Sequence, residues 1–262
     1  MKRFFAILLA LVIASNAFAW GPVGHKIVIA IAQRHLTEKS KANIAKYIDY
    51  DLKKDAVWMD KHRNDKPIAY TTHYHVFATD KSLRYDPNYR IAGGGDVVYA
   101  LALTDYNLAE QNYKRMTDSA VVFNIRMIIH FMGDMHCPVH THVDGVKTIW
   151  KCKLNGKEWE KFHPIYDKIP SMLYDHNNLS YDQIAEQLDV LSKKQIKGVV
   201  AGSIVDWAND AAEQSVRIYD INPMFSYQLD DKTVEKSRDI IDTQLRNAGY
   251  RLAAKLNEYF NH

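Results

Sequence analysis

His130 and Asp134 stand four residues apart in His130-Phe-Met-Gly-Asp134-Met-His-Cys-Pro138-Val-His140, so on a helix their side chains share one face. An imidazole and a carboxylate so placed can hold a divalent cation, and Pro138 ends the helix so that His140 leaves at another angle. A surface ion pair at the same spacing is the plain alternative. His163 and Asp167 repeat the spacing, with Pro164 suited to the first turn of a helix. Two such pairs make coincidence a poor account. Asp60, in Trp58-Met-Asp60-Lys-His-Arg63, and the neighbours His73 and His75 add a carboxylate and two imidazoles. In Trp20-Gly-Pro-Val-Gly24-His25 the glycines let the backbone fold back close to the His25 side chain.

The elements that must position these groups are mainly helical. Apolar residues recur at helical spacing through Val23 to Leu36, Lys41 to Ile48, Asp96 to Leu108, Ser119 to Met135, Tyr181 to Leu191, Ser203 to Ile218 and Thr233 to Phe260. Thr37 and Asp118 are predicted N-caps, and Gly93-Gly94-Gly95 breaks the chain before the helix that opens near Asp96. Between Val146 and Glu160 the residues become β-type around Asn155-Gly156, a dipeptide suited to a two-residue hairpin turn. Ala78 to Gly95 has no clear period and reads as a surface loop near a site. The fold expected is mainly α, a single helical domain with one small β-hairpin.

Residues 1–19 have Lys2 and Arg3, an apolar run, and Ala17-Phe18-Ala19, without an acidic residue. This reads as a signal peptide cut before Trp20, because the apolar run is too short to cross a bilayer. Residues 20–262 then form one exported domain, periplasmic or secreted; no repeat or linker divides it, and a monomer without a stable protein partner is expected. The 34 basic residues include Lys2 and Arg3, so after cleavage the chain is one charge from balance with its 31 acidic residues. A binder that relied on many phosphate contacts would be far more basic, so attraction for a polyanion must be local, and bound metal could supply it. Cys137 and Cys152 are the only cysteines: they can form one bridge or stay as two buried thiols.

As a set, WGPVGH, WMDKHR, HYHVFA, HFMGDMHCPVH, HPIYD and the closing GYRLAAKLNE resemble the zinc-dependent single-strand nucleases of the mung bean nuclease type. That family shares a fold with bacterial zinc phospholipase C, and the resemblance runs from Trp20 to the end of the chain. It implies three zinc ions and nine ligands, each with a counterpart of the same type here. One zinc would be held by Asp60, His75 and His130, with Asp134 bridging to a second that also takes His25 and the amine and carbonyl of Trp20. The third would be held by His140, His163 and Asp167. Spacing alone leaves His73 beside His75, and His136 or His142 beside His140; the family register selects His75 and His140. His35, His62, His176 and His262 remain ordinary polar positions. Nitrogen and oxygen ligands in this mixture suit zinc better than copper(I) or calcium.

The same resemblance implies hydrolysis of single-stranded DNA and RNA to 5′-phosphate products, with 3′-nucleotidase activity. Asp60 and Asp134 would hold the catalytic zincs, and Arg63 would bind the phosphate as charge builds. One departure concerns the base. Many relatives follow the ligand histidine with an aromatic residue and then, two positions on, an aspartate that contacts the base; this chain has Val76, Phe77 and Ala78. Phe77, Tyr74 or an aromatic near Tyr85 and Tyr89 is therefore expected to stack on the base. The rivals are a zinc phospholipase C and a zinc-binding protein without turnover. Against the lipase stand the short interval from Trp20 to His25 and an aspartate at 167, where the lipases have glutamate.

Overall fold

In the computed structural model the described residues are 20–88, 95–147, 150–174, 178–223 and 227–262. Twelve α-helices are assigned among them. In chain order they are α1 (Pro22–Arg34), α2 (Glu38–Ile44), α3 (Trp58–His62), α4 (Val97–Leu108), α5 (Asp118–Met135) and α6 (Phe162–Asp167). There follow α7 (Ile169–Tyr174), α8 (Tyr181–Leu188), α9 (Lys193–Val199), α10 (Ile204–Ile221), α11 (Asp231–Lys236) and α12 (Arg238–Phe260). None among the described residues is long and apolar enough to cross a membrane.

Helix α1 is the central rod. Ile27, Val28, Ile29, Ala30, Ile31 and Ala32 are all buried, so it is enclosed on every side rather than amphipathic. Its closest neighbour is α12, and Gly249 makes that approach possible: a β-carbon there would lie 2.5 Å from Ile31 Cγ2 and 3.1 Å from the Val28 carbonyl oxygen. Helix α5 packs beside α1 and α4, burying Ile125, Ile128, Ile129 and Met132 together with its two polar ligand candidates. Local chemistry sets the ends. Thr37 caps α2 by accepting from the Ser40 N–H, and Asp96 caps α4 by accepting from the Tyr99 N–H. The expected cap Asp118 instead lies in the first turn of α5: Thr117 is the cap, accepting from the Ala120 N–H, and Asp118 complements the helix dipole.

The hairpin forms where expected, from β3 (Lys151–Leu154) and β4 (Trp159–Lys161), with Asn155 and Gly156 at φ of 50° and 72° in the turn. It is not the whole of the β structure. Strand β5 (Gln228–Leu229) joins β3 in parallel, and a separate parallel pair links β1 (Phe77–Thr79) to β2 (Thr141–Val143), Phe77 opposite Thr141. The loop predicted from Ala78 therefore starts later, because Ala78 and Thr79 are buried strand residues. The periodic run from Thr233 to Phe260 is two helices divided at Ser237. Cys137 and Cys152 are unbridged and both are buried.

Candidate metal centre

Helix α5 supplies two groups one turn apart on its buried face, His130 and Asp134, both without solvent exposure. Helix α1 supplies His25 from its first turn, with Gly21 as N-cap and Pro22 at the first helical position. Helix α3 carries Asp60, and a 3₁₀ turn at Ala69–His73 delivers His75 just before β1. Beyond α5, Cys137 precedes a 3₁₀ turn over Pro138–His140 that swings His140 back toward the site. Helix α6 brings His163 and Asp167 on one face. Segments from across the chain thus converge on one place.

Asp134 lies between two sets of imidazoles. Its Oδ1 is 3.2 Å from His25 Nε2, while its Oδ2 is 2.7 Å from His75 Nδ1 and 3.3 Å from His130 Nε2. Asp60 Oδ1 closes the second set at 3.6 Å from His130 Nε2 and 3.8 Å from His75 Nδ1. A third group forms around Asp167, whose Oδ1 is 3.5 Å from His163 Nε2 and 3.8 Å from His140 Nε2. Three groups among the described residues could hold a metal ion: His25, Asp60 and His130; His75, His130 and Asp134; Cys137, His140 and Asp167.

The outer hydrogen bonds orient these rings. His130 Nδ1 meets the Ala56 carbonyl at 2.9 Å, and His140 Nδ1 hydrogen-bonds the His75 carbonyl, so each presents Nε2 inward. His25 stacks on His130 with centroids 4.2 Å apart and planes 14° from parallel. Gly133 makes the stack possible, since a β-carbon there would sit 2.7 Å from His25 Nδ1.

A set of buried polar atoms in this cluster has no hydrogen-bond partner: both ring nitrogens of His25, both oxygens of Asp60, His130 Nε2, Asp134 Oδ1 and Asp167 Oδ2. Each such orphan costs about 1–3 kcal/mol unless something satisfies it. A cation coordinated by these lone pairs would do so, and the residues present fit that role. Electrostatics agree. Burial works against charge on His130, but Asp134 and Asp60 outweigh it and hold its pKa well above the ordinary value. Burial likewise opposes the Asp134 carboxylate, yet the neighbouring His130, His25 and His75 rings keep it well below the usual range. Burial pushes His140 and His163 down to about 4 and lifts Asp167 well above its usual value. The histidines of the third group therefore keep their lone pairs at neutral pH.

Every expected ligand side chain is in this cluster. His136 is not, although it lies only two residues past Asp134: its Nδ1 meets the Met132 carbonyl, and its Nε2 accepts from the buried Arg251 of α12 at 2.9 Å. His73 contributes to none of the three groups. His35 pairs with Asp189, His62 stacks on Trp58, and His262 meets the Glu258 carbonyl, and none of them belongs to the three groups; His176 and Tyr89 lie outside the described residues. Trp20 is fully buried at the head of α1, and the Gly21 N–H donates to the Asp167 carbonyl at 2.7 Å, tying that end to the third group. Arg63 caps α3 at its C-terminal end, and the Thr72 hydroxyl donates to its carbonyl at 3.0 Å.

The stacking role expected of Phe77 and Tyr74 does not suit their positions. Phe77 has no exposure because β1 packs it into the core, and Tyr74 is 5% exposed. Tyr85 is half-buried, its hydroxyl spent on Asp96. Two exposed rings lie beside Tyr74: Tyr70 and Tyr99, 51% and 47% exposed, pack edgewise on it at 6.0 and 5.7 Å. Tyr74 in turn meets Phe131, which touches the His75 and His130 rings. Their spacing in sequence carries no period that could have marked them.

Comparison with known proteins gives the cluster a context. The chain is 24% identical to Endonuclease 4 of Arabidopsis thaliana over 100% of its own length and 96% of the relative's. It is 23% identical to Endonuclease 2 of the same plant, covering 94% and 92%, and 24% identical to Nuclease S1 of Aspergillus oryzae (strain ATCC 42149 / RIB 40), covering 94% of each. The model of the S1/P1 nuclease family matches residues 20–261, spanning all eight clustered ligand candidates, and the chain belongs to that family.

Proposed function

We propose that the chain is an exported hydrolase whose three metal positions take zinc, and that it cleaves single-stranded DNA and RNA to 5′-phosphate products and removes the phosphate of 3′-nucleotides. The observation that carries the reading is Asp134, whose two oxygens face two different sets of imidazoles. One zinc would use Asp60, His75, His130 and Asp134; a second Asp134, His25 and the Trp20 terminus; a third His140, His163 and Asp167. The ligand set of five imidazoles and three carboxylates suits zinc. Bound there, zinc supplies positive charge that polarises a phosphate and brings the pKa of water toward neutrality.

The protein's own groups have separate tasks. His163 and His75 are the ligand candidates whose side chains reach solvent, at 28% and 12%, so the phosphate enters on their side. The buried hydrogen bonds to Ala56 and to the His75 carbonyl keep the rings fixed while it does. Arg63, one turn beyond Asp60, neutralises the phosphate as charge builds. The bond that breaks is P–O3′, and water supplies the new oxygen on phosphorus. Export is supported by residues 1–19, and cleavage before Trp20 would create an α-amine in the buried pocket at the head of α1.

Metal-loaded protein assayed on single-stranded DNA, RNA, a 3′-mononucleotide and phosphatidylcholine is expected to turn over the first three and leave the lipid intact. Turnover of the lipid alone would establish the phospholipase alternative, and no turnover on a fully loaded chain would establish the storage alternative. Tyr70 and Tyr99 are assigned as the base platform in place of Phe77 and Tyr74. Stacking of one base on one ring is worth about 1–3 kcal/mol, so Tyr70→Ala or Tyr99→Ala should raise KM for a dinucleotide by about 5- to 150-fold. A small phosphodiester without a nucleoside should be hydrolysed as before. Unchanged dinucleotide KM in both variants would remove the platform.

A further inference from the structure

The third metal group contains an atom that the nine-ligand set leaves out, the sulfur of Cys137. This residue has no exposure, and its Sγ is 4.0 Å from Asp167 Oδ1. With zinc–sulfur and zinc–oxygen bonds of about 2.3 and 2.1 Å, two ligands of one tetrahedral ion stand about 3.6 Å apart, close to the distance present before any ion draws them in. The ligand atoms of Cys137, His140 and Asp167 all lie within 4.8 Å of one another. Asp167 Oδ2 is buried beside them with no partner.

We propose that Cys137 is a ligand of the third metal position, its thiolate joining His140, His163 and Asp167 to give four protein donors around one ion. The inference rests on the three-metal reading above. A cysteine binds a metal as its thiolate, so the proton leaves as the ion enters. The S–H bond then breaks, a metal–sulfur bond forms, the proton goes to solvent, and no redox change takes place. The donor set also changes character. A soft sulfur makes this position selective for zinc, cadmium or cobalt over magnesium and manganese, and four protein donors hold the ion more tightly than three.

Cobalt(II) is the probe. Full-length protein stripped of metal and reloaded with cobalt is expected to show a sulfur-to-metal charge-transfer band in the near ultraviolet, equal to one thiolate–cobalt bond per chain. Cys137→Ser should lose the band, and Cys152→Ser should keep it. In a chelator titration, Cys137→Ser should release one zinc at a chelator concentration about tenfold or more below that needed for the unmodified chain, since even outer partners of a ligand cost about 10–100-fold in affinity. If Cys137→Ser fails to fold, the spectra of the unmodified chain and of Cys152→Ser decide the matter by themselves. A chain that holds three cobalt ions without the band loses this assignment alone, and its thiol is then a hydrogen-bond donor to Asp167. A folded chain that takes up no metal overturns the assignment and the three-metal reading together.

Discussion

Asp134→Ala should leave a folded chain with fewer metal ions than any other single ligand substitution produces, and activity lower by about 10³-fold or more. The expectation follows from geometry, because one carboxylate serves two positions: Oδ1 toward His25, Oδ2 toward His75 and His130. Losing one preorganised polar group from an active site costs about 10²–10³-fold in turnover, and a group shared by two ions should cost at least the upper end. The substitution also removes the largest favourable interaction that holds charge on the buried His130. Metal counting by elemental analysis, alongside turnover on single-stranded DNA, is the measurement. His73→Ala is the control and should be mild, since His73 is in none of the metal-holding groups. Three zincs per chain with near-normal turnover in Asp134→Ala would end the bridging assignment.

Gly133→Ala should be nearly as damaging, for a different reason. The added methyl would lie 2.7 Å from His25 Nδ1 and 3.0 Å from Cε1, and the stacked His130 ring, 4.2 Å away, keeps His25 from retreating. His25 must then leave Asp134 Oδ1. Alanine is a better helix former than glycine by about 1 kcal/mol, so α5 itself gains in intrinsic stability while the site loses a ligand. The variant should therefore show helical circular dichroism at least equal to that of the unmodified chain, hold two ions instead of three, and turn over at least about 10²-fold more slowly, the scale of a 1 Å misplacement. A three-ion variant with unchanged turnover would mean that His25 is dispensable.

Much of this was legible in the sequence because it is local. Residues at i and i+4 on a helix share a face whatever the rest of the chain does, so His130 with Asp134 and His163 with Asp167 could be paired from spacing. Asp96 as a cap and Asn155-Gly156 as a turn rest on equally local chemistry. What could not be read depends on distant partners. His136 looks as much like a ligand as His140 until Arg251, 115 residues away, occupies its Nε2. The β1–β2 pair joins short strands far apart in sequence, and three residues carry no period strong enough to declare a strand. From the sequence only the position of Phe77 after His75 is visible; its burial comes from that strand pair. Helix α9 carries a capping box from Ser192 to Gln195, but none of its residues is buried, so no apolar stripe announces it.

The parallel pair β1–β2 follows directly on two of the ligand candidates. Phe77, opposite Thr141, comes two residues after His75 and Thr141 one residue after His140, while His140 Nδ1 closes onto the His75 carbonyl. Neighbouring strands are held about 4.8 Å apart by their hydrogen bonds, and that interval barely stretches. The separation of His75 from His140 is thus a ruler cut in backbone rather than a gap spanned by flexible side chains. On the proposed three-metal reading a phosphate would be measured against it: a group whose oxygens match the interval would engage the first and third positions at once, and a longer or shorter anion only one.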